Sequence, residues 1–266
     1  MASTAVPATQ APPRWATNAT FARFAAWCGV LLVLFTFAAD AIFLSAGIPD
    51  NSFTTKQIAD YFINHSHGLL WAHVFFNLGS IAFLFFLGVL WVMLREAEGD
   101  PPWLSAVAMW GAIAAIAGAN VSNVFGGVGA NIGHDYPELM NSQLGVTMFQ
   151  SSVAFNLSFV GFVALQLAIS FLIFRTRIFP QWIAWLGIID MPLWLLQMWP
   201  VPRHDNQLEE ILFDRTGPGA HAVQMVWLIA IIVYVIRWVH RRWPMGADER
   251  VPVRSRVGEE VSAGAE

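Results

Sequence analysis

The sequence predicts an all-α protein: a six-helix transmembrane bundle with both termini cytoplasmic and a short amphipathic outer helix between spans one and two. Three observations predict it. Hydrophobic residues make up 56% of the 266 positions and charged residues only 12%, about half the charge of a soluble domain. Six apolar stretches each reach or approach the roughly 20 residues that carry a helix across hydrocarbon. The cations divide unequally between the links that join those stretches.

The elements follow in order. Residues 1–21 are rich in Ala, Thr and Pro and read as a disordered tail. The apolar run behind them is too long for a secretion signal. The spans are Ala22–Ser45, Leu69–Leu94, Trp103–Phe125, Leu144–Phe174, Trp182–Trp199 and Ala220–Trp238. The fourth is long enough to project or tilt. Between the first two, Thr54-x-x-Gln57 has the spacing of a capping box. It opens a short helix with Ile58, Tyr61 and Phe62 on one side, resting on the outer membrane surface or lidding the bundle. Gly126-Gly127-Val128-Gly129 reads as a turn or a close helix contact, and Gly217-Pro218-Gly219 as a turn. Residues 22–243 form one domain, and 244–266 a second disordered tail. Eleven arginines lie on one side: 14, 23, 95, 175, 177, 237, 241, 242, 250, 254 and 256. Lys56, Arg203 and Arg215 lie on the other. The positive-inside rule then places both termini in the cytoplasm.

Polar side chains inside apolar runs mark where function lies, because lipid does not tolerate them. Asp40, His73, Asn77, Asn120, Asn123, Asn156, Asp190, His221 and Gln224 form this set. Helical spacing gathers them into stripes. His73, Asn77 and Ser80 share a face. Asn120 and Asn123 lie beside the small residues Gly111, Ala115, Gly118 and Ser122, which admit a close neighbour. Ser152, Asn156, Gln166 and Ser170 follow one side of the fourth span. Most of the set lies in the outer halves of the helices, so the expectation is one polar cavity that opens outward. Asp190 precedes Met191-Pro192, and Pro192 leaves the Ile188 carbonyl without its helical donor. A carboxylate at such a point suits proton or cation handling.

Composition narrows the function. A net charge of −4 and a pI near 5.9 offer no basic face for nucleic acid. Lys56 is the only lysine and lies outside the apolar runs, which excludes a retinal Schiff base. Cys28 has no partner for an internal disulfide. His73, His221 and Asp40 are candidate ligands for zinc, copper or iron, and the two imidazoles alternatively for haem. No GxSxG or HExxH motif is present. Three functions remain. One is a binding or permease-like protein for a small solute, with Asp190 and Asp40 handling charge. The second is an enzyme acting on a lipid or isoprenoid, with Asp as general acid and Trp194 and Trp227 stabilising a cation. The third is a structural subunit of a membrane complex. Membrane lipids are the expected partners, together with a second copy or a complex subunit.

Three motifs carry a resemblance: Ile58-Ala59-Asp60-Tyr61-Phe62, Leu94-Arg95-Glu96-Ala97-Glu98-Gly99, and Arg175-Thr176-Arg177-Ile178-Phe179-Pro180-Gln181-Trp182. Over its first five helices the chain resembles a group of uncharacterised six-helix integral membrane proteins of actinobacteria. The resemblance implies a bacterial cytoplasmic-membrane location and brings no activity or site residues. The long acidic outer link before the sixth span departs from that group.

Overall fold

A computed structural model describes residues 19–47, 49, 53–152, 156–198 and 217–243. Every regular element among them is helical. They are α1 (Ala19–Ala46), α2 (Thr55–Asn64), α3 (Ser66–Glu98), α4 (Trp103–Asp135), α5 (Ser142–Ser152), α6 (Asn156–Thr176), α7 (Gln181–Met198) and α8 (Gly217–Arg242). A single 3-10 turn, Pro137–Leu139, joins α4 to α5. Five helices are long and apolar enough to cross a membrane: α1, α3, α4, α6 and α8. These are the features of a helical membrane bundle. The fifth expected span, α7, is an 18-residue helix with Asp190 and Pro192 inside it. The tails, Trp199 and the acidic link up to residue 216 lie outside the described residues.

The six long helices close into a ring in the order α1, α3, α4, α6, α7, α8 and back to α1. Its core is aliphatic and aromatic: Phe86, Ile169, Leu172, Ile183, Ile231 and Val235 are all buried. Outward-facing residues such as Trp103, Trp110 and Leu34 stay exposed, as lipid-facing side chains of a bundle do. Small residues set the closest approaches. A Cβ on Gly161 of α6 would collide with the backbone of Gly111 and Ala115, and one on Gly118 would stand 2.9 Å from the Ser158 nitrogen. The small-residue stripe of α4 therefore meets α6. Gly29 of α1 seats Phe86 of α3 and Ile232 of α8 in the same way.

One end of the ring is tied by cations. Arg23 donates to the Trp243 carbonyl at 2.8 Å, and Arg242 lies 3.8 Å from Glu96. Glu98 reaches past two prolines to accept from the Leu104 and Ser105 backbone N–H groups, each at 2.8 Å.

The opposite end carries a cap that differs from expectation. α4 does not stop at Phe125; it continues to Asp135, for 33 residues or about 50 Å. The Gly126–Gly129 run is thus helix and close contact, not turn. Two of the three missing side chains there have a physical reason: a Cβ on Gly126 would stand 2.6 Å from the His73 ring, and one on Gly129 2.8 Å from Phe62. α2 has the capping box its sequence announces, with Thr54 and Gln57 bonded both ways. Its packing is that of the lid, the second of the two expected placements. Ile58, Tyr61 and Phe62 are buried against α4 and α5, in a second small core with Leu69, Ala130 and Met140. The fourth expected span is two helices, α5 and α6, on either side of residues 153–155. α5 belongs to the cap. Gly217-Pro218-Gly219 is the first turn of α8, where proline's fixed φ suits a helix start.

Candidate functional site

Of the nine sequence-derived polar residues, Asn156 has its side chain outside the described residues, and the other eight do not gather in one place. Seven of them fall into two networks, and Asn120 stands apart. Two depressions among the described residues touch none of the nine. One, of about 220 Å³, lies between Ser45, Ala46 and the α2–α3 corner at Asn64–Gly68. The other is a crevice around Leu90 and Ser105.

The first network joins α3 to α4. His73 Nδ1 lies 2.5 Å from Asn123 Oδ1, and Asn123 Nδ2 donates to Asn77 Oδ1 at 2.8 Å. The Asn123 amide, oriented by this chain, assigns the imidazole proton to Nδ1. Phe43 of α1 packs edge-on against the ring at 5.5 Å. Asn120 stays apart and donates to Ile116, one turn back in its own helix, at 2.9 Å. This network is satisfied pair by pair. It reads as the polar pin that sets the register of two helices.

The second network lies at the seam of α6, α7 and α8. Asp190 is fully buried. Its Oδ2 accepts from Gln166 Nε2 at 2.5 Å and from Trp194 Nε1 at 2.9 Å. Its Oδ1 has no hydrogen-bond partner among the described residues. The same holds for Gln166 Oε1, Ser170 Oγ and Trp227 Nε1. Among the described residues, four buried polar side-chain atoms without a partner therefore gather at one seam, although such atoms are rare in folded proteins.

Helical steps order this seam into levels. Asp190 stands one turn from Gly187 on α7, and Gln166 one turn from Ser170 on α6. Trp194 continues one turn further along α7. Its ring packs on Phe159 at 4.4 Å and on His221 of α8 at 5.5 Å. His221 lies within electrostatic reach of both Asp190 and Asp40 of α1. Gln224, also buried, follows His221 by three residues. The result is a polar file: Asp40 and His221, then Trp194, then Asp190 and Gln166, then Ser170 and Trp227. Below Ser170 the seam is closed by Ile173, Ile183, Ile231 and Val235, all fully buried.

The expected metal triad does not assemble. His73 turns towards α4 and His221 towards α7. No three His, Cys, Asp or Glu side chains among the described residues come together as a metal site. The two imidazoles do not face one another as haem ligands would. Asn156 opens α6, and its side chain lies outside the described residues. Sequence reasoning placed Gln166 and Ser170 on one helical stripe but missed the Trp227 N–H as a polar partner. No protein-family model, curated protein or solved structure matches this chain, so the site rests on its own geometry.

Proposed function

We propose that the chain is a six-span protein of the bacterial cytoplasmic membrane, with both termini inside, that takes up a proton or a small protonatable solute from outside through the polar file ending at Asp190. The narrow file replaces the broad hollow expected from sequence. One observation carries this reading: a fully buried carboxylate with one oxygen held twice and the other without a partner among the described residues. A purely structural aspartate in this setting would have both oxygens bonded to protein groups, because an acceptor left unmet when its site is dry costs about 1–3 kcal/mol. Intramembrane ionisable groups that persist at such cost mark substrate or proton paths.

Several further features accord with the proposal. The arginine-rich ends of the helices fit the cytoplasmic face. α7 completes an even number of crossings. Membership of the actinobacterial six-helix group belongs to the same proposal, as do lipid contact on the exposed faces and association with a second copy. The lipid-enzyme reading has less support, since Trp194 and Trp227 are both buried in packing and offer no open π face to a substrate.

The test is an infrared one and needs no known solute. Difference spectra of membrane-reconstituted protein between two pH values should contain a carboxyl C=O band that Asp190→Asn removes. Identical difference spectra for the two proteins would overturn the assignment of Asp190.

A further inference from the structure

The unpartnered atoms at the foot of the file have a chemical pattern of their own. Ser170 sits in the middle of α6, where a serine hydroxyl ordinarily bonds back to its own helix. Thr176 does so to Leu172 at 2.7 Å, and Thr147 to Gln143 at 2.9 Å. Ser170 does not. Its hydroxyl points across to α7, into the notch left by Gly187. A Cβ on Gly187 would stand 2.5 Å from Ser170 Oγ and 3.0 Å from Trp227 Nε1. The indole N–H and the hydroxyl therefore converge on one spot from α8 and α6. One turn along the seam, Asp190 Oδ1 and Gln166 Oε1 are open acceptors.

Two donors and two acceptors, all on fully or almost fully buried side chains, describe the complement of a single neutral oxygen with two hydrogens. We infer that Ser170, Trp227, Gln166 and Asp190 form a binding site for one water molecule at the Gly187 notch. A buried water characteristically makes about three such bonds to groups that are otherwise unmet. A cation would meet the Trp227 N–H head-on. The site deepens the Asp190 reading, because it extends the hydrogen-bonded file one turn past the carboxylate and ends it there.

Nuclear magnetic resonance on 15N-indole-labelled protein tests the site directly. The Trp227 signal is identified by its loss in Trp227→Phe. Its Nε1–H should show a cross-peak to water and exchange with deuterium, whereas the Trp194 Nε1–H, donated to Asp190, should show neither. The cross-peak should vanish in Gly187→Ala, whose methyl fills the notch. It should persist in Ser170→Ala, which enlarges the notch. A Trp227 N–H that is dry and protected in the native protein would overturn the inference, and so would a cross-peak that survives Gly187→Ala. A peak lost in Ser170→Ala would assign the signal to the serine hydroxyl and would also overturn it. Because these readouts do not depend on Asp190 changing its protonation, the water site and the function of Asp190 fail separately.

Discussion

Glu98 shows how much one side chain settles at the arginine-rich end. α4 begins after Pro101-Pro102, so its first N–H groups have no helical acceptor. Glu98 takes Leu104 and Ser105 N–H, and the Ser105 hydroxyl at 2.6 Å. An anion at a helix start also meets the favourable end of the macrodipole. Glu98→Ala should lower stability by about 1 kcal/mol, read from unfolding in detergent, with no change in the Asp190 infrared band. The Thr54–Gln57 box was legible from sequence because its partners are three residues apart. The Glu98 cap was not, since its acceptor reaches six and seven residues across a double proline. Asp190 was legible as an exceptional residue. Its bonds to Gln166 and Trp194 were only half legible: Trp194 is one turn away, but Gln166 depends on the register of two helices, which side-chain spacing along one helix does not encode.

At the scale of elements, the cap is where sequence and structure part most. A glycine-rich run after an apolar stretch has the look of a turn. Here α4 stays helical in spite of glycine's low propensity, and Gly126 and Gly129 make room for His73 and Phe62, as Gly133 further on does for the α2 backbone; that reason becomes visible only once α2 is docked. The docking has a pH signature. Burial pushes the Tyr61 phenol up to about 12 from its ordinary 10. The folded cap thus holds that proton more tightly than the unfolded chain does. Its contribution is complete below pH 10 and is lost as pH rises towards 12. Ultraviolet titration of the native protein should show a phenol ionising near 12 that Tyr61→Phe removes, with α2 becoming protease-sensitive over the same interval. A Tyr61 that ionises with the ordinary phenols would mean that α2 is not seated as described.

For the whole molecule, the unequal distribution of arginine makes orientation testable. Lys56 is exposed at the cap and Arg241 at the far end of α8, and the single native cysteine, Cys28, is buried. In intact cells a membrane-impermeant thiol reagent should modify Lys56→Cys, and should reach Arg241→Cys only after lysis. The opposite pattern would invert the bundle. The all-helical class and the approximate positions of five long apolar helices were legible from hydropathy alone, because crossing hydrocarbon imposes length and composition on each helix separately; the division of the fourth stretch into α5 and α6 was not. The closed order of the ring was not, because it is decided by notches such as Gly29 and Gly161 rather than by any helix alone. That closure bears on biogenesis. Among the described helices α1 leaves the ribosome before the rest, yet it takes part of its packing from α8, which leaves after the rest, through Gly29 and Ile232 and through Arg23 and the Trp243 carbonyl. Until α8 is made, that flank of α1 has only lipid or an insertion factor to rest against, and the bundle cannot be sealed helix by helix in the order of synthesis.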